Sequence, residues 1–311
     1  MNLSTRIKQE AIRLGFAACG IAEASVADSE VATFDRWIAD GCHAGMRYME
    51  NYRDIRLNPA GLVEDARSVI SVALNYYPET PQAPDAPQIA RYAYGKDYHL
   101  VVKDKLRALW QFIEQISDEG CTEHSTIPTA RLFTDSAPIL ERYWAWKAGL
   151  GWIGKNTHLI IPGKGSYFFL GEIITTLQLS YDTPQTNRCG RCTRCLEACP
   201  TGALEHAYRL NANKCLSYLT IECRDMIPEA QAAQLGNRLY GCDTCQEACP
   251  WNRFAQPTAV EAFRPHPELL SLTKEHLQML TREEYNRIFA ESAVKRTRYE
   301  GLMRTINQLK G

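Results

Sequence analysis

The chain has 311 residues, 45% of them hydrophobic, and its 35 basic and 36 acidic side chains leave a net charge of −1 at pH 7. That balance supplies no overall field to draw the protein onto nucleic acid, so a partner of that kind needs a local basic patch. The apolar runs at 68–77 and 167–179 are too short or too interrupted to cross a bilayer as helices.

In chain order, MNLSTRIKQEAIRLGF opens as an amphipathic helix over 4–14 that stops at Gly15. It has neither the long apolar core of a secretory signal nor a twin-arginine pair. A cytoplasmic, non-membrane protein is therefore expected. A second helix is expected over 29–40, stopping at Gly41, since glycine suits the left-handed residue just past a helix end. SVISVALNYY (68–77) is β-branched and apolar, as a buried strand requires, and the proline-rich loop PETPQAPDAPQ follows it. Residues 97–117 have helical spacing, with Val101, Leu109, Phe112, Ile113 and Ile116 on the apolar side. ARLFTD reads as a short strand, PILERYWAWKAG as a helix, and HLIIP and YFFLGEIITTL as strands.

The fold class is α+β. Residues 1–181 form the main domain, 182–260 a smaller cysteine-rich domain entered through the linker DTPQTN (182–187), and 261–311 a short helical C-terminal segment. In that last segment Thr281-Arg-Glu-Glu has the form of a capping box. Lys295, Arg296, Arg298 and Arg304 give it a basic face, which solvent alone can explain.

Two near-motifs do not qualify. AGLGWIGKN contains Gly149-x-Gly151-x-x-Gly154, and Asn156 stands where a P-loop needs Ser or Thr. Both nucleotide motifs require a strand before and a helix after, and here the order is helix then strand. The glycines read instead as a helix stop and a tight turn. Asp97-Tyr98-His99 opens like a motif that ligates cobalamin cobalt through histidine, but Val102 stands where its glycine belongs. His99 is expected to be a satisfied structural histidine.

Nine of the twelve cysteines lie between Cys189 and Cys249, while Cys19, Cys42 and Cys121 are scattered elsewhere. So dense a local group in a reducing compartment implies metal binding. Cys189-x2-Cys192-x2-Cys195-x3-Cys199-Pro200 matches the bacterial ferredoxin run, in which three thiolates hold one 4Fe–4S cluster and the fourth crosses to a second. A zinc site would more often use two CxxC pairs or a CxxC with histidines. By the same crossing logic Cys249 completes the first cluster, and Cys199, Cys242 and Cys245 hold three positions of the second. Cys215 and Cys223 compete for the fourth. Spacing does not choose between them, though Cys215 begins a helical segment whose N–H groups favour an anionic cluster.

With these cysteines, FTDSAPILERYWAWKAGLGWIGKNT and NRLYGCDTCQEACPWN, the chain resembles the epoxyqueuosine reductases from DIRLNP (54–59) to the basic C-terminal segment. The resemblance implies a nitroreductase-like cobalamin-binding domain followed by a ferredoxin-like domain with two 4Fe–4S clusters. It implies an enzyme that reduces epoxyqueuosine at the wobble base of tRNA to queuosine, fed by an electron donor that the sequence does not name. It selects Cys215 as the missing ligand, makes Asp135 the proton donor, and implies Arg56, Asn156, Leu159 and Ser217 as cobalamin neighbours. Lys295, Arg296 and Arg298 become candidates for tRNA phosphates, and the protein is expected to be a monomer. An acid is needed because opening an epoxide leaves an alkoxide. Apolar neighbours such as Phe133, Ala137, Pro138 and Ile139 would raise the Asp135 carboxyl and keep it protonated. Taken without the resemblance, Asp135 reads as a cap for the helix near Pro138. Longer family members continue into a C-terminal helical repeat that helps hold tRNA, whereas this sequence ends at Gly311. Reductive dehalogenases, non-catalytic ferredoxin-type carriers and zinc-stabilised interaction proteins are the competing classes.

Overall fold

The computed structural model describes residues 2–118 and 128–309, so Cys121 lies outside the described residues. The N-terminal helix α1 (Leu3–Arg13) is capped by the Asn2 side chain and leads into strand β1 (Ala18–Glu23). Helix α2 (Asp28–Ala39) and the single turn α3 (Arg53–Arg56) follow, then strand β2 (Ser68–Asn75). Short strand β3 (Gln88–Ile89) precedes the long helix α4 (Tyr98–Asp118), and strand β4 (Ala130–Phe133) leads to helix α5 (Glu141–Lys147). A two-stranded piece, β5 (Trp152–Ile153) with β6 (Leu159–Ile160), comes before the long strand β7 (Phe168–Thr175). The main sheet is antiparallel in the order β1-β2-β7-β4.

Both faces of this sheet are covered, which is why β2 reads as a continuous apolar run rather than an alternating one. Ile70, Val72, Leu74 and Ile173 point to one face and pack with Ile7 of α1 and with Val102, Leu106, Leu109 and Ile113 of α4. The helical stripe on α4 therefore sits one residue off the predicted one at its start: Val102 and Leu106 are fully buried, while Val101 and Phe112 only flank the core. Val69, Ala73 and Ile174 point to the other face, under Trp144 and Ala145 of α5. Two glycines let these layers meet. A Cβ on Gly20 would lie 2.0 Å from the Ala148 carbonyl oxygen, and one on Gly151 would lie 2.1 Å from that of Ile160. Gly151 thus serves close backbone approach, and Gly149, with φ +77°, ends α5 as read from the sequence.

The cysteine-rich stretch is built from short helices: α6 (Arg194–Ala198), α7 (Leu216–Ile221), α8 (Glu229–Ala232) and α9 (Thr244–Glu247), with strand β8 (Arg238–Tyr240) between the last two. β8 pairs in parallel with β3, fastening this stretch to the proline-rich loop of the first half. The predicted linker is also fastened, for Asp182 takes Lys8 Nζ at 2.6 Å and the Ile21 N–H at 2.9 Å. The last helices are α10 (Pro267–Leu270), α11 (Lys274–Gln278), α12 (Arg282–Ile288) and α13 (Arg298–Gln308). Thr281 and Glu284 form the capping box expected for α12. Leu277, Phe289, Leu302 and Ile306 from this segment join the same core as Ile7 and Ile70. Among the described residues no helix is long and apolar enough to cross a membrane.

Candidate active site

The two cysteine motifs fold alike. In each, a CxxC leads into a one-turn helix, α6 or α9, and a cysteine in extended conformation precedes a proline: Cys199 at φ −65°, ψ 112° and Cys249 at φ −75°, ψ 119°. Proline pushes its predecessor out of the helical region, so each of these thiols is turned away from its own CxxC. Because α6 packs against α9, each turned-away thiol meets the other motif. Cys189, Cys192, Cys195 and Cys249 line one cavity, and Cys199, Cys215, Cys242 and Cys245 line another. Burial raises the thiols of Cys195 and Cys249, and the neighbouring thiols of the same quartet raise them further.

Cys215 takes the position that spacing left open. It stands at the head of α7, where the N–H groups of Tyr218 and Ser217 face its sulfur and counter the effect of burial. Cys223 lies past the end of α7, its sulfur near the Asp225 carbonyl at 3.6 Å. Among the described residues no three His, Cys, Asp or Glu side chains are gathered as ligands of a single ion. A zinc site would draw its sulfurs to about 2.3 Å from one metal, whereas a cubane holds them further apart. The donor set, eight soft thiols in two quartets around two spaces, fits iron–sulfur clusters.

The cavity holding the second quartet also reaches Asp135, Tyr98, Leu159 and Ser217, with a volume of ≈ 460 Å³. It adjoins a second hollow of ≈ 650 Å³ that shares Tyr48, Tyr98 and Asp135 and extends to Arg56, His99 and Arg296. Arg56 is 7% exposed and donates to the backbone carbonyls of Tyr48 at 3.0 Å and Ile139 at 3.4 Å. Its buried Nε has no partner among the described residues, and the side chain brings a cation to the lining of this hollow. A wide, partly aromatic cleft with a buried arginine fits a corrin ring with polar side chains.

Asp135 occupies the loop between β4 and α5 with φ +52°, a conformation that aspartate tolerates better than most residues. It does not cap α5, whose N-cap is Leu140 without a side-chain hydrogen bond. Instead Tyr98 Oη donates to Asp135 Oδ2, His99 Nε2 lies 3.6 Å from the same oxygen, and the Asp135 N–H donates to Glu141 Oε1 at 2.5 Å. The enclosing walls work to raise the Asp135 carboxyl. The nearby His99 ring, the hydrogen bond from Tyr98 and the charge of Arg142 outweigh them and hold it below its ordinary value. This corrects the expectation that apolar neighbours keep Asp135 protonated: Phe133 and Ile139 point into the core, while the carboxyl turns the other way into the cleft, 58% exposed.

The displaced acidity appears on the groups around Asp135. Burial pulls the His99 ring down, but the Asp135 carboxylate 3.6 Å away, the hydrogen bond to Asp97 and the charges of both raise it to about 9. Burial and the charge of Asp135 push the Glu141 carboxyl up to about 7. Glu172, at the centre of β7, is fully buried, and neither of its oxygens has a hydrogen-bond partner among the described residues. Burial, then Glu141, raises it well above the carboxylate range.

The remaining candidates divide. Leu159 and Ser217 line the cleft with the second quartet. Asn156 is 2% exposed, lines both thiol cavities and donates to the Cys245 carbonyl at 3.1 Å, so it stands between the quartets. Lys295 and Arg296 line the hollow beside His99, and Arg298 is exposed at the head of α13. Arg296 is engaged by Glu222 through two bonds at 2.8 and 2.9 Å. Arg304 has a structural task, bonding the Leu219 carbonyl at 2.7 Å and the Asp225 carbonyl at 2.8 Å. Sequence reading missed Tyr98, Glu141 and Glu172 and set His99 aside. The one available signal was the run Asp97-Tyr98-His99 at the head of a helix, refused for want of a glycine.

Residues 188–252 match the model for a 4Fe-4S double cluster binding domain, and residues 56–136 match the model "Epoxyqueuosine reductase QueG, DUF1730". An epoxyqueuosine reductase of Cellulophaga algicola is 47% identical over 308 residues, covering 99% of this chain and 98% of its own. The crystal structure of an epoxyqueuosine reductase with an epoxyqueuosine-modified tRNA-Tyr stem loop superposes with a TM-score of 0.87 at 30% identity, covering 98% of this chain and 80% of that one. An epoxyqueuosine reductase from Bacillus subtilis, its catalytic aspartate loop swung out of the active site, gives 0.84 at 30% identity over the same shares.

Proposed function

This chain belongs to the epoxyqueuosine reductase family, and from that premise we propose how its own residues carry the reaction. It reduces the epoxide of epoxyqueuosine at the wobble position of tRNA to queuosine, the last step of queuosine biosynthesis. The region 188–252 binds iron–sulfur clusters. On our reading there are two 4Fe–4S clusters, one on Cys189, Cys192, Cys195 and Cys249, the other on Cys199, Cys215, Cys242 and Cys245. Residues 1–181 bind cobalamin, 182–260 carry the clusters, and 261–311 close the cleft. We take the reaction on tRNA to be cytoplasmic and the active unit to be a monomer served by a separate electron donor.

One observation carries this reading. A single cavity is lined both by a thiol quartet and by Asp135, so electrons and protons can arrive at the same substrate. The balance requires both: an epoxide plus two electrons and two protons gives an alkene and water. Bound in the cleft, the corrin and clusters supply two-electron reduction of the carbon–oxygen bond. Everything else falls to side chains. Arg56 supplies a partly desolvated cation for a polar corrin side chain, and Leu159 and Ser217 shape the cleft beside the second quartet. Asn156 fixes the backbone at Cys245. Asp135 Oδ2, held by Tyr98, passes a proton to the oxygen that leaves the ring, and Glu141 holds the Asp135 backbone in place. Lys295, Arg296 and Arg298 meet tRNA phosphates at the mouth of the cleft.

The test is anaerobic turnover of an epoxyqueuosine-containing anticodon stem-loop by cluster-reconstituted protein with cobalamin and a strong reductant. Wild type should form queuosine, and Asp135→Asn should lower kcat at least about 100-fold. Protein that binds cobalamin yet leaves the epoxide intact would defeat the reading.

A further inference from the structure

Asp135 in this cleft is placed to pass a proton but is not placed to keep one. The Tyr98 hydroxyl and the His99 ring both direct polar hydrogens at its Oδ2, and both favour the carboxylate. A donor that rests ionised needs a source behind it, and the next group inward is His99. Its Nδ1 is 2.6 Å from Asp97 Oδ1, and the same oxygen takes the His99 backbone N–H at 3.0 Å, so Asp97 fixes the ring at the start of α4. The Tyr98 ring stacks on the imidazole at 4.2 Å and on Phe169 at 4.2 Å, which holds the assembly against the core.

We propose that His99 is the proton reservoir of the reaction, oriented by Asp97, and that Asp135 relays its proton to the epoxide oxygen. The proposal rests on the reading of Asp135 as the group that protonates that oxygen. As the ring carbon–oxygen bond breaks with the incoming electron pair, negative charge collects on the oxygen. The His99 Nε2 proton passes to Asp135 Oδ2, and Asp135 passes a proton on to that oxygen and is left a carboxylate again. The imidazolium becomes neutral imidazole, and Asp97 stays ionised. His99, 33% exposed at its side chain, takes a fresh proton from solvent, and the relay runs a second time when the hydroxyl leaves as water. Two protons and two electrons are thereby consumed per alkene formed.

The 3.6 Å between Nε2 and Oδ2 is a contact one small loop movement short of a hydrogen bond, as is common before substrate is seated. In the Bacillus subtilis relative the catalytic aspartate loop is swung out of the active site. Several charged or titratable groups face the ring or its carboxylate partner. Asp97 comes from the segment before α4, and Asp135 from the β4–α5 loop. Glu141 and Arg142 come from α5, and Lys295 and Arg296 from the C-terminal segment. The two carboxylates that touch the ring outweigh the cations lining the hollow, and the ring is raised to about 9.

Two measurements test the relay. In full-length protein, ring-labelled histidine NMR should show His99 still protonated at pH 8. Asp97→Asn should lower its titration by about one unit or more. In turnover of the stem-loop, His99→Ala should lower kcat about 100-fold with little change in KM. Added imidazole should restore part of the loss, because the vacated site opens to solvent. Wild-type activity should fall as pH rises past the His99 titration, and that limb should vanish from the variant. A ring that titrates at or below the ordinary histidine value overturns the relay even if no variant folds. So does His99→Ala with wild-type kcat and an unchanged pH profile. An inert wild type overturns the reductase reading and the relay with it, whereas an active wild type with an ordinary His99 overturns the relay alone.

Discussion

At the scale of single residues, the thiol at position 215 is the sharpest case. Cys215 and Cys223 have similar spacing to the motifs on either side, and what separates them is which end of a six-residue helix they occupy. Cys215→Ala should therefore lose about half of the bound iron, and Cys223→Ala none, measured by iron content and visible absorbance after anaerobic reconstitution. Glu172 makes a second prediction. Its folded value is raised above the unfolded one, so between the two the native state holds a proton that the unfolded chain has released. Stability then falls as pH rises through that window, from the ordinary glutamate value of 4.5 upward. Glu172→Gln removes this linkage, and its melting temperature should overtake wild type increasingly from pH 5 to pH 8. An unchanged gap would show that Glu172 is ionised in the fold. The acidic groups around Asp135 were not legible in the sequence because they lie on four separate pieces of chain: 97–99, 135, 141 and 172. Only the pairing of β4 with β7 and the packing of α4 and α5 on these strands bring them together.

At the scale of elements, most of the regular structure could be read in advance. The helices near 4–14, 29–40 and 97–117, the strands near 68–77 and 167–177, and the capping box at Thr281 all appear within a few residues. Their signals are local: apolar period, glycine stops and cap chemistry. What sequence reading missed came from contacts between elements. Gly20 looked unremarkable inside β1, yet the Ala148 carbonyl sits where its side chain would be. Gly20→Ala should destabilise by about 3 kcal/mol, since a backbone atom and not a flexible tip must give way. Thermal melting checks this, and a cost near zero would mean that α5 can slide on the sheet. The one-residue offset at the start of the α4 stripe has a similar origin. Gly171 on β7 lets Val102 settle close to the sheet, where a Cβ would lie 2.9 Å from Val102 Cγ1.

At the scale of the whole molecule, the near-neutral charge excluded a general attraction to nucleic acid but left room for the local patch at 295–298. The structure grades that patch. Arg296 already has two bonds to Glu222, whereas Arg298 is exposed at the head of α13. Binding of the stem-loop should weaken linearly with the logarithm of salt concentration. Arg298→Ala should reduce that slope by about 0.7–0.9, the share of one phosphate contact, and Arg296→Ala by less. An unchanged slope in Arg298→Ala would place the RNA elsewhere on the surface.

The pairing of β3 with β8, and the shared core of Ile7 with Leu302 and Ile306, have a consequence for how the molecule is made. The nascent chain cannot close its principal core until α13 has left the ribosome, because partners nearly 300 residues apart must meet. During that interval every thiol of the two quartets has been synthesised, and so has every residue that lines the two thiol cavities, none of which lies beyond Trp251. Iron delivery to the quartets therefore need not wait for the C-terminal helices to dock.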